Sequence, residues 1–229
     1  MASGNFDLEL PPVKSNDEVG VLARDFQMMK ESLKEYIKNL TETTAAKERI
    51  QSELNVATDI QASLLPRLFP AFPDRPEFDI FASMDPAKEV GGDFYDFFML
   101  DPDHLAIAIG DICGKGIAAS LFMAVVVTVL RTAAHEEKDV AATIARANNV
   151  LSRDNASSMF ATAFYAVLNL RTGVMEYCNC GHNAPFLVLP TGETRSFPAT
   201  GLPLALYEDR TPAVARLTLS HSDIFVLFT

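Results

Sequence analysis

Residues 17–65 contain no proline, and their apolar residues recur with the seven-residue period of a coiled coil. Asn16 and Asp17 offer an N-terminal cap, whereas Pro66 and Pro70 end the helix. At 1.5 Å per residue such a helix is roughly 70 Å long, which is more than one small globule can cover. The pattern therefore predicts a long helix whose narrow apolar stripe is the seam of a coiled coil. The two phases of the seam are Val19, Phe26, Leu33, Leu40, Lys47, Leu54 and Gln61, and Leu22, Met29, Tyr36, Thr43, Ile50, Ala57 and Leu64.

Two alternatives stay open for this helix. A solvated amphipathic helix that lies on its own domain gives a similar pattern. The polar residues at seam positions, Thr43, Lys47 and Gln61, either reflect poor packing or allow the helix to change its partner.

After Pro66 the pattern changes to short strands and two consecutive helices. Residues 117–134 are apolar nearly all round and follow a Gly-Lys-Gly turn, which predicts a buried helix. Residues 139–154 predict a second helix with Asp139 as its cap. Strands, then two helices, then strands predict an α+β fold with helices segregated onto antiparallel sheets. The predicted strands are residues 78–84, 94–100, 104–109, 159–170, 174–181, 185–189, 202–206, 213–219 and 224–228.

Composition and charge exclude several classes of protein. The chain carries 19 basic and 30 acidic side chains, and a net charge of −11 argues against a nucleic-acid partner. Three cysteines argue against a disulfide framework and favour a reducing compartment. No charge-free apolar run reaches the roughly 18 residues that span a bilayer. The N-terminus shows no basic segment followed by an apolar one, so no signal peptide is predicted.

Two glycine-rich segments place carboxylates next to strands. Residues 91–96 (GGDFYD) contain Asp93 beside aromatic residues, and residues 110–116 (GDICGKG) contain Asp111 at the end of an apolar strand. An aspartate at a strand end can project into a cleft, so the two carboxylates could share a hard cation. The alternative is that both side chains cap turns by accepting from backbone amides.

Two other motifs are weaker indications of function. Residues 114–116 (GKG) lack the earlier glycine and the following Ser or Thr of a phosphate-binding loop, so no such loop is predicted there. Residues 178–182 (CNCGH) could in principle bind zinc, since alternate strand positions share one face. Buried cysteines are the simpler interpretation, and His182, at a strand-to-turn boundary, is interpreted as structural.

Several ordered motifs carry a family resemblance. Residues 86–96 (PAKEVGGDFYD) and 110–116 resemble the two signature segments of bacterial PPM-family protein phosphatases of the SpoIIE/RsbU type. Residues 160–165 (FATAFY) and 179–185 (NCGHNAP) are similar to later motifs of that family, in the same order. The resemblance covers about residues 54–229.

The N-terminal part has a second resemblance. Residues 17–29 resemble the second half of a HAMP signal-relay domain. Together the two resemblances imply residues 1–40 as the HAMP segment and signalling helix, 41–66 as a coiled-coil linker helix and 67–229 as the phosphatase domain. They also imply a cytoplasmic fragment of a parent protein that is anchored in the cytoplasmic membrane upstream.

The phosphatase resemblance implies an α/β/β/α sandwich with two Mg²⁺ or Mn²⁺ ions between two antiparallel sheets. It implies that Asp111 bridges both ions, that the Ile112 backbone carbonyl is a ligand, and that Asp93 contacts one ion or its water. Asp93 and Asp111 are thus the expected catalytic residues. Lys88, five residues before Asp93, matches a phosphate-binding arginine, and a lysine would act there as a point charge.

The same resemblance implies hydrolysis of phosphoserine or phosphothreonine on a partner protein, with a water activated by the metal ions as nucleophile. The implied partner is a phosphorylated anti-anti-sigma (STAS) protein. The helix would form a homodimer through residues 17–65 and relay the state of an upstream HAMP sensor to the phosphatase domain.

The resemblance departs from the family pattern at the C-terminus. The family strand that matches residues 223–228 leads into a Thr-Asp-Gly segment that holds metal, whereas this chain ends at Thr229. We therefore expect a partial metal centre in this chain. The alternative function is a non-catalytic, dimerising signalling module.

We predict that residues 17–65 form a parallel homodimeric coiled coil in solution. Leu33→Asp combined with Leu40→Asp should abolish the dimer, because both leucines lie in the seam, where a buried carboxylate is costly. Sedimentation equilibrium at micromolar concentration measures the oligomeric state, and a monomeric wild-type chain would contradict the prediction.

Overall fold

The computed structural model describes residues 17–85, 90–153, 155–210 and 212–229, in two compact units, Met1–Asn55 and Val56–Thr229. Helix α1 spans Glu18–Ser63, which confirms the long helix predicted from the heptad pattern. Its N-terminus is capped as predicted, since the Asp17 carboxylate accepts from the Gly20 amide at 3.0 Å. Many seam residues are exposed in the single chain, and the dimer itself stays a prediction. These exposed residues include Val19, Leu22, Met29, Leu33, Tyr36 and Leu40.

Two antiparallel sheets build the second unit. The larger contains β1 (Phe94–Asp101), β2 (His104–Ile112), β3 (Ala161–Asn169), β4 (Val174–Cys180) and β7 (Ala215–Thr218), in the order β1-β2-β3-β4-β7. The smaller contains β5 (Phe186–Val188), β6 (Thr194–Ser196) and β8 (Ile224–Val226), in the order β6-β5-β8. The β3–β4 hairpin closes between the predicted strands 159–170 and 174–181, with the Gly173 amide donating to the Asn169 carbonyl at 2.9 Å.

Helices α2 (Ile117–Glu137) and α3 (Val140–Ser152) cover one face of the five-stranded sheet. Asp139 caps α3 as predicted, because its carboxylate accepts from the Ala142 amide at 2.8 Å. The core between helices and sheet combines small strand residues with larger helix residues, so the layers approach closely. It includes Ala106, Ala108, Ala161 and Ala163 from the sheet and Met123, Val126, Leu130, Ile144 and Leu151 from the helices.

An ion pair joins α2 to the edge strand β1. The Arg131 Nε donates to Asp96 Oδ2 at 2.9 Å, its Nη2 contacts Oδ1, and Asp96 is almost fully buried. The guanidinium also lies over the Phe98 ring, 4.8 Å from the ring centroid. By length and composition alone, α2 could cross a membrane. Its buried side packs on the sheet, as in the core helix of a globular domain.

The opposite face of the five-stranded sheet packs against the three-stranded sheet. The ring centroids of Phe164 on β3 and Phe225 on β8 are 5.8 Å apart, and those of Tyr177 and Phe197 are 6.0 Å apart. Residues of β2 at alternate positions, such as Leu105 and Ile109, face this second layer. The order of layers is therefore helices, five-stranded sheet, three-stranded sheet.

The predicted α+β fold with two antiparallel sheets and a long N-terminal helix is confirmed, and within the described residues helices cover one side of the stack. Two predicted strands are wrong. Residues 78–84 pair with no strand in the part of the chain that the structure describes. Their alternation arises because Phe78, Ile80 and Ala82 pack into the core between the sheets. Residues 202–206 form no strand within the described residues, and Leu204 makes an isolated bridge to Ala161.

Candidate active site

The register of β1 and β2 brings the two predicted carboxylates to one place. Phe94, the first residue of β1, pairs with Gly110 in the antiparallel register, so Asp93, directly before Phe94, lies opposite Asp111, directly after Gly110. Thr162 on β3 pairs with Asp111 from the other side. By the alternation of the strands, all three side chains lie on the face that packs against the three-stranded sheet.

The charge on Asp111 is disfavoured in this position. Partial burial raises the pKa of the Asp111 carboxyl group above its ordinary value, and the neighbouring Asp93 carboxylate raises it further. The Ile112 backbone and Lys115 oppose this shift with smaller effects. The two carboxylates therefore repel each other at neutral pH, and a cation between them would relieve that repulsion.

A glycine leaves room for oxygen atoms beside the carboxylates. A Cβ atom at Gly92 would lie 2.9 Å from the Ile112 carbonyl oxygen and 3.1 Å from Asp111 Oδ1. The Ile112 amide also donates to the Gly92 carbonyl at 3.2 Å. The Ile112 side chain is buried in the opposite core, under the helices. The strand end therefore presents the Ile112 carbonyl and the Asp111 carboxylate to the same small volume at Gly92.

His182 lies beside this site, although the sequence interpretation gave it only a structural role. Gly181, with φ 71°, turns the chain after β4 and places the imidazole Nδ1 3.0 Å from the Thr162 hydroxyl. The hydroxyl donates to the Asp111 backbone carbonyl at 3.3 Å, so Nδ1 must be the donor of the histidine–threonine bond. His182 is thus linked to Asp111 through one side chain.

The position of His182 disfavours the charged form of its imidazole. Burial lowers its pKa below the ordinary value, and the Phe228 backbone and the Asp93 carboxylate oppose that shift. Its Nε2 atom is buried, and within the described residues it has no hydrogen-bond partner. Thr229 closes another side of the site, since its hydroxyl donates to Asp93 Oδ1 at 2.6 Å.

The structure thus brings together three of the four predicted site residues, Asp93, Asp111 and Ile112. The fourth, Lys88, lies outside the described residues. Within the described parts of the chain, no group of three or more His, Cys, Asp or Glu side chains could hold a metal ion. The local donors are therefore two carboxylates and one backbone carbonyl.

The zinc interpretation of residues 178–182 is not supported. Cys178 and Cys180 are free and buried in the core under the helices. Burial raises the pKa of each thiol to about 12, so both stay protonated and are poor metal ligands. The simpler interpretation, buried apolar cysteines, is confirmed.

The sequence interpretation missed Thr162 and His182 as members of the site. Both fall in segments that it singled out, residues 160–165 and 179–185. No spacing rule links them, because their contact depends on the pairing of β3 with β4 and on the turn at Gly181.

Comparisons with known proteins identify related sequences. A sequence model described as Stage II sporulation protein E (SpoIIE) matches residues 101–229, and one for the HAMP domain matches residues 1–35. The chain is 29% identical to Protein IcfG of Synechocystis sp., over all of this chain and 40% of that protein. It is 30% identical to Phosphoserine phosphatase RsbU of Bacillus subtilis, over 80% of this chain and 53% of that protein. The chain thus spans about half the length, or less, of these curated relatives.

Solved structures show the same fold. The SiaA-PP2C domain of Pseudomonas aeruginosa superposes with a TM-score of 0.65 at 19% identity, over 79% of this chain and 72% of that one. RsbX, crystallised in complex with magnesium, gives a TM-score of 0.50 at 23% identity, over 61% and 66% of the two chains. Because the SpoIIE sequence model matches more than half of its residues, the chain belongs to the SpoIIE family, and it has the fold of a PP2C domain.

Proposed function

We propose that this chain carries the active site of a metal-dependent phosphatase that removes phosphate from phosphoserine or phosphothreonine on a partner protein. The observation that carries the proposal is the pairing of Asp93 with Asp111 at adjacent strand ends, beside the Ile112 carbonyl. The description of the Bacillus subtilis relative as a phosphoserine phosphatase supports it. This relationship favours the enzyme over the non-catalytic signalling module.

The donor atoms fit a hard divalent cation. Carboxylate and carbonyl oxygens are the ligands that Mg²⁺ and Mn²⁺ prefer, and the volume at Gly92 lies between two of them. Burial and, to a smaller extent, repulsion by Asp93 raise the pKa of Asp111, and a bound cation would oppose both effects. Bound Mg²⁺ or Mn²⁺ would supply a water of lowered pKa and stabilise charge on phosphate oxygens. The magnesium complex of RsbX supports this choice of metal.

The residues of the chain hold and orient this site. Asp111 and Asp93 supply the negative charge that binds the cation. The Thr162 hydroxyl bonds the Asp111 carbonyl and so restrains the peptide that precedes the Ile112 carbonyl. The imidazole of His182 holds that hydroxyl in place. Lys88 is proposed to bind the substrate phosphate as a point charge.

We also propose a signalling context. The match of residues 1–35 to the HAMP domain supports an upstream, membrane-linked sensor that controls the phosphatase. In this proposal α1 forms a homodimeric coiled coil and relays the sensor state, and the substrate is a phosphorylated STAS-type anti-anti-sigma protein. The domain divisions at residues 40 and 66 belong to the same proposal.

We predict that the full-length natural protein hydrolyses a phosphoserine peptide in the presence of millimolar Mn²⁺ and loses this activity without metal. Asp111→Asn should reduce kcat/KM to near background, because a neutral amide cannot balance the cation charge. Asp74→Asn is the matched control, because it makes the same change at an exposed aspartate that precedes the site residues in the sequence.

Steady-state release of phosphate measures this prediction. Equal turnover by wild type and Asp111→Asn would place the active site elsewhere. Binding of a phosphorylated partner without turnover by the wild type would favour the non-catalytic module.

A second prediction separates metal binding from stability. Because the pKa of Asp111 is raised on folding, its ionised form destabilises the metal-free fold, and this cost appears as pH rises through the raised pKa. Asp111→Asn should therefore raise Tm at pH 7 without metal and abolish most Mn²⁺ binding. Asp93→Asn should remove less of the Mn²⁺ affinity.

Thermal melts with a chelator and calorimetric titration with Mn²⁺ check both parts. The gain in Tm should vanish in acid, where the carboxyl of the wild type is also neutral. Wild-type Mn²⁺ affinity in Asp111→Asn would show that the metal binds elsewhere.

A further inference from the structure

The last turns of α1 contain a buried polar residue that the mechanism above does not use. Gln61 is only 6% exposed, although the helix around it is largely exposed, with Val56 and Ile60 both at more than half. A buried amide side chain is costly unless its donors and acceptor find partners. The partners of Gln61 therefore indicate what it does.

The side-chain amide of Gln61 makes two hydrogen bonds to the backbone of Gly91, two residues before Asp93. Its Nε2 donates to the Gly91 carbonyl at 2.6 Å, and its Oε1 accepts from the Gly91 amide at 3.3 Å. The side chain thus satisfies the backbone of Gly91 as a neighbouring strand would. No other side chain bonds the Gly91 backbone in the part of the chain that the structure describes.

Gly91 leads directly into the donors of the site. Gly92 follows it, and the Gly92 carbonyl accepts from the Ile112 amide at 3.2 Å. The space at Gly92 borders the Ile112 carbonyl and the Asp111 carboxylate, and Asp93 comes next in the chain. A shift of the Gly91 peptide would therefore move Asp93 relative to Asp111 and Ile112.

The segment after the helix is anchored separately. Leu65 is buried in the core under the helices, and the Tyr95 hydroxyl donates to the Pro66 carbonyl at 2.7 Å. Gln61 is consequently not needed to keep this segment on the domain. Its bonds to Gly91 are an additional connection, directed to the loop that carries Asp93.

We propose that Gln61 is a positioning residue, by which the end of α1 fixes the Gly91–Gly92 peptide and so sets the spacing of the Asp93, Asp111 and Ile112 oxygens. The inference rests on the metal site of the proposed function and adds the residue that connects α1 to it. Gln61 acts through Gly91 and does not itself contact the donors. The sequence interpretation placed Gln61 as a polar position in the coiled-coil seam, whereas the structure gives it an intramolecular partner.

The test compares Gln61→Met with Tyr95→Phe. The methionine keeps the length of the side chain and removes both bonds to Gly91. The phenylalanine removes the hydrogen bond from the Tyr95 hydroxyl to the Pro66 carbonyl and does not change the bonds to Gly91. Gln61→Asn, too short by one methylene to reach Gly91, replaces the methionine variant if that variant does not fold.

Two readouts are used, neither of which depends on turnover. In Gln61→Met we expect Mn²⁺ affinity to fall by about tenfold, as for other residues that orient metal ligands. We expect amide exchange at Ile112 to accelerate by about tenfold as its bond to Gly92 loosens. Exchange at Leu204, whose amide donates to Ala161 at 2.8 Å, is the internal reference and should stay unchanged.

Tyr95→Phe should change neither readout by more than a factor of two. Unchanged Ile112 exchange in the Gln61 variant that folds would overturn the proposal, as would an equal acceleration in Tyr95→Phe. If the wild type binds Mn²⁺ but hydrolyses no phosphopeptide, the proposed function fails and the comparison still decides the role of Gln61. If the wild type binds no Mn²⁺, the Ile112 exchange decides it.

Discussion

The register between β1 and β2 places two carboxylates side by side at one end of the five-stranded sheet. Like charges in this position repel, and the repulsion adds to the burial that raises the pKa of Asp111. The register is specified by close packing further along the same strands. A Cβ atom at Gly110 would meet the Thr162 carbonyl at 2.4 Å and the Phe94 ring at 2.5 Å, so only glycine fits there. A slip of one residue would also turn Leu105 and Ile109 to the wrong face.

The rest of the second unit holds these strand ends in position. Helices α2 and α3 cover one face of the sheet, and the Arg131–Asp96 pair ties α2 to β1 near the site. The Asp96 carboxylate is almost fully buried and would be left uncompensated without Arg131, so the pair restricts the movement of β1 relative to α2. From the other face, His182 and Thr162 restrain the Asp111 backbone, and Gln61 restrains the loop before Asp93. The carboxylates are therefore supported from three neighbouring elements.

Local sequence patterns predict those helices and strands whose structure is determined by residues close together in the sequence. Helix α1 follows from its heptads, α3 from its cap at Asp139, and β3 and β4 from their apolar segments, residues 159–170 and 174–181. The strand predicted for residues 78–84 is wrong, because alternating side chains can fill a core without a hydrogen-bonded partner strand. The strand β6 (TRS) is exposed and short, so no apolar pattern marks it. The glycine-rich segments predict the pair Asp93 and Asp111. No local pattern predicts the contacts of Gln61 and His182. Their partners are distant in sequence and depend on the packed fold.

The central claim is that Asp93, Asp111 and the Ile112 carbonyl form one cation site. Diffraction from crystals of the chain soaked in Mn²⁺, recorded at a wavelength where manganese scatters anomalously, tests it most directly. The account predicts an anomalous peak in contact with both carboxylates and the Ile112 carbonyl, at about 2.2 Å from oxygen, a typical distance for such ions. A manganese peak elsewhere with none at Asp111, or carboxylates that turn away from each other in the presence of metal, would contradict it.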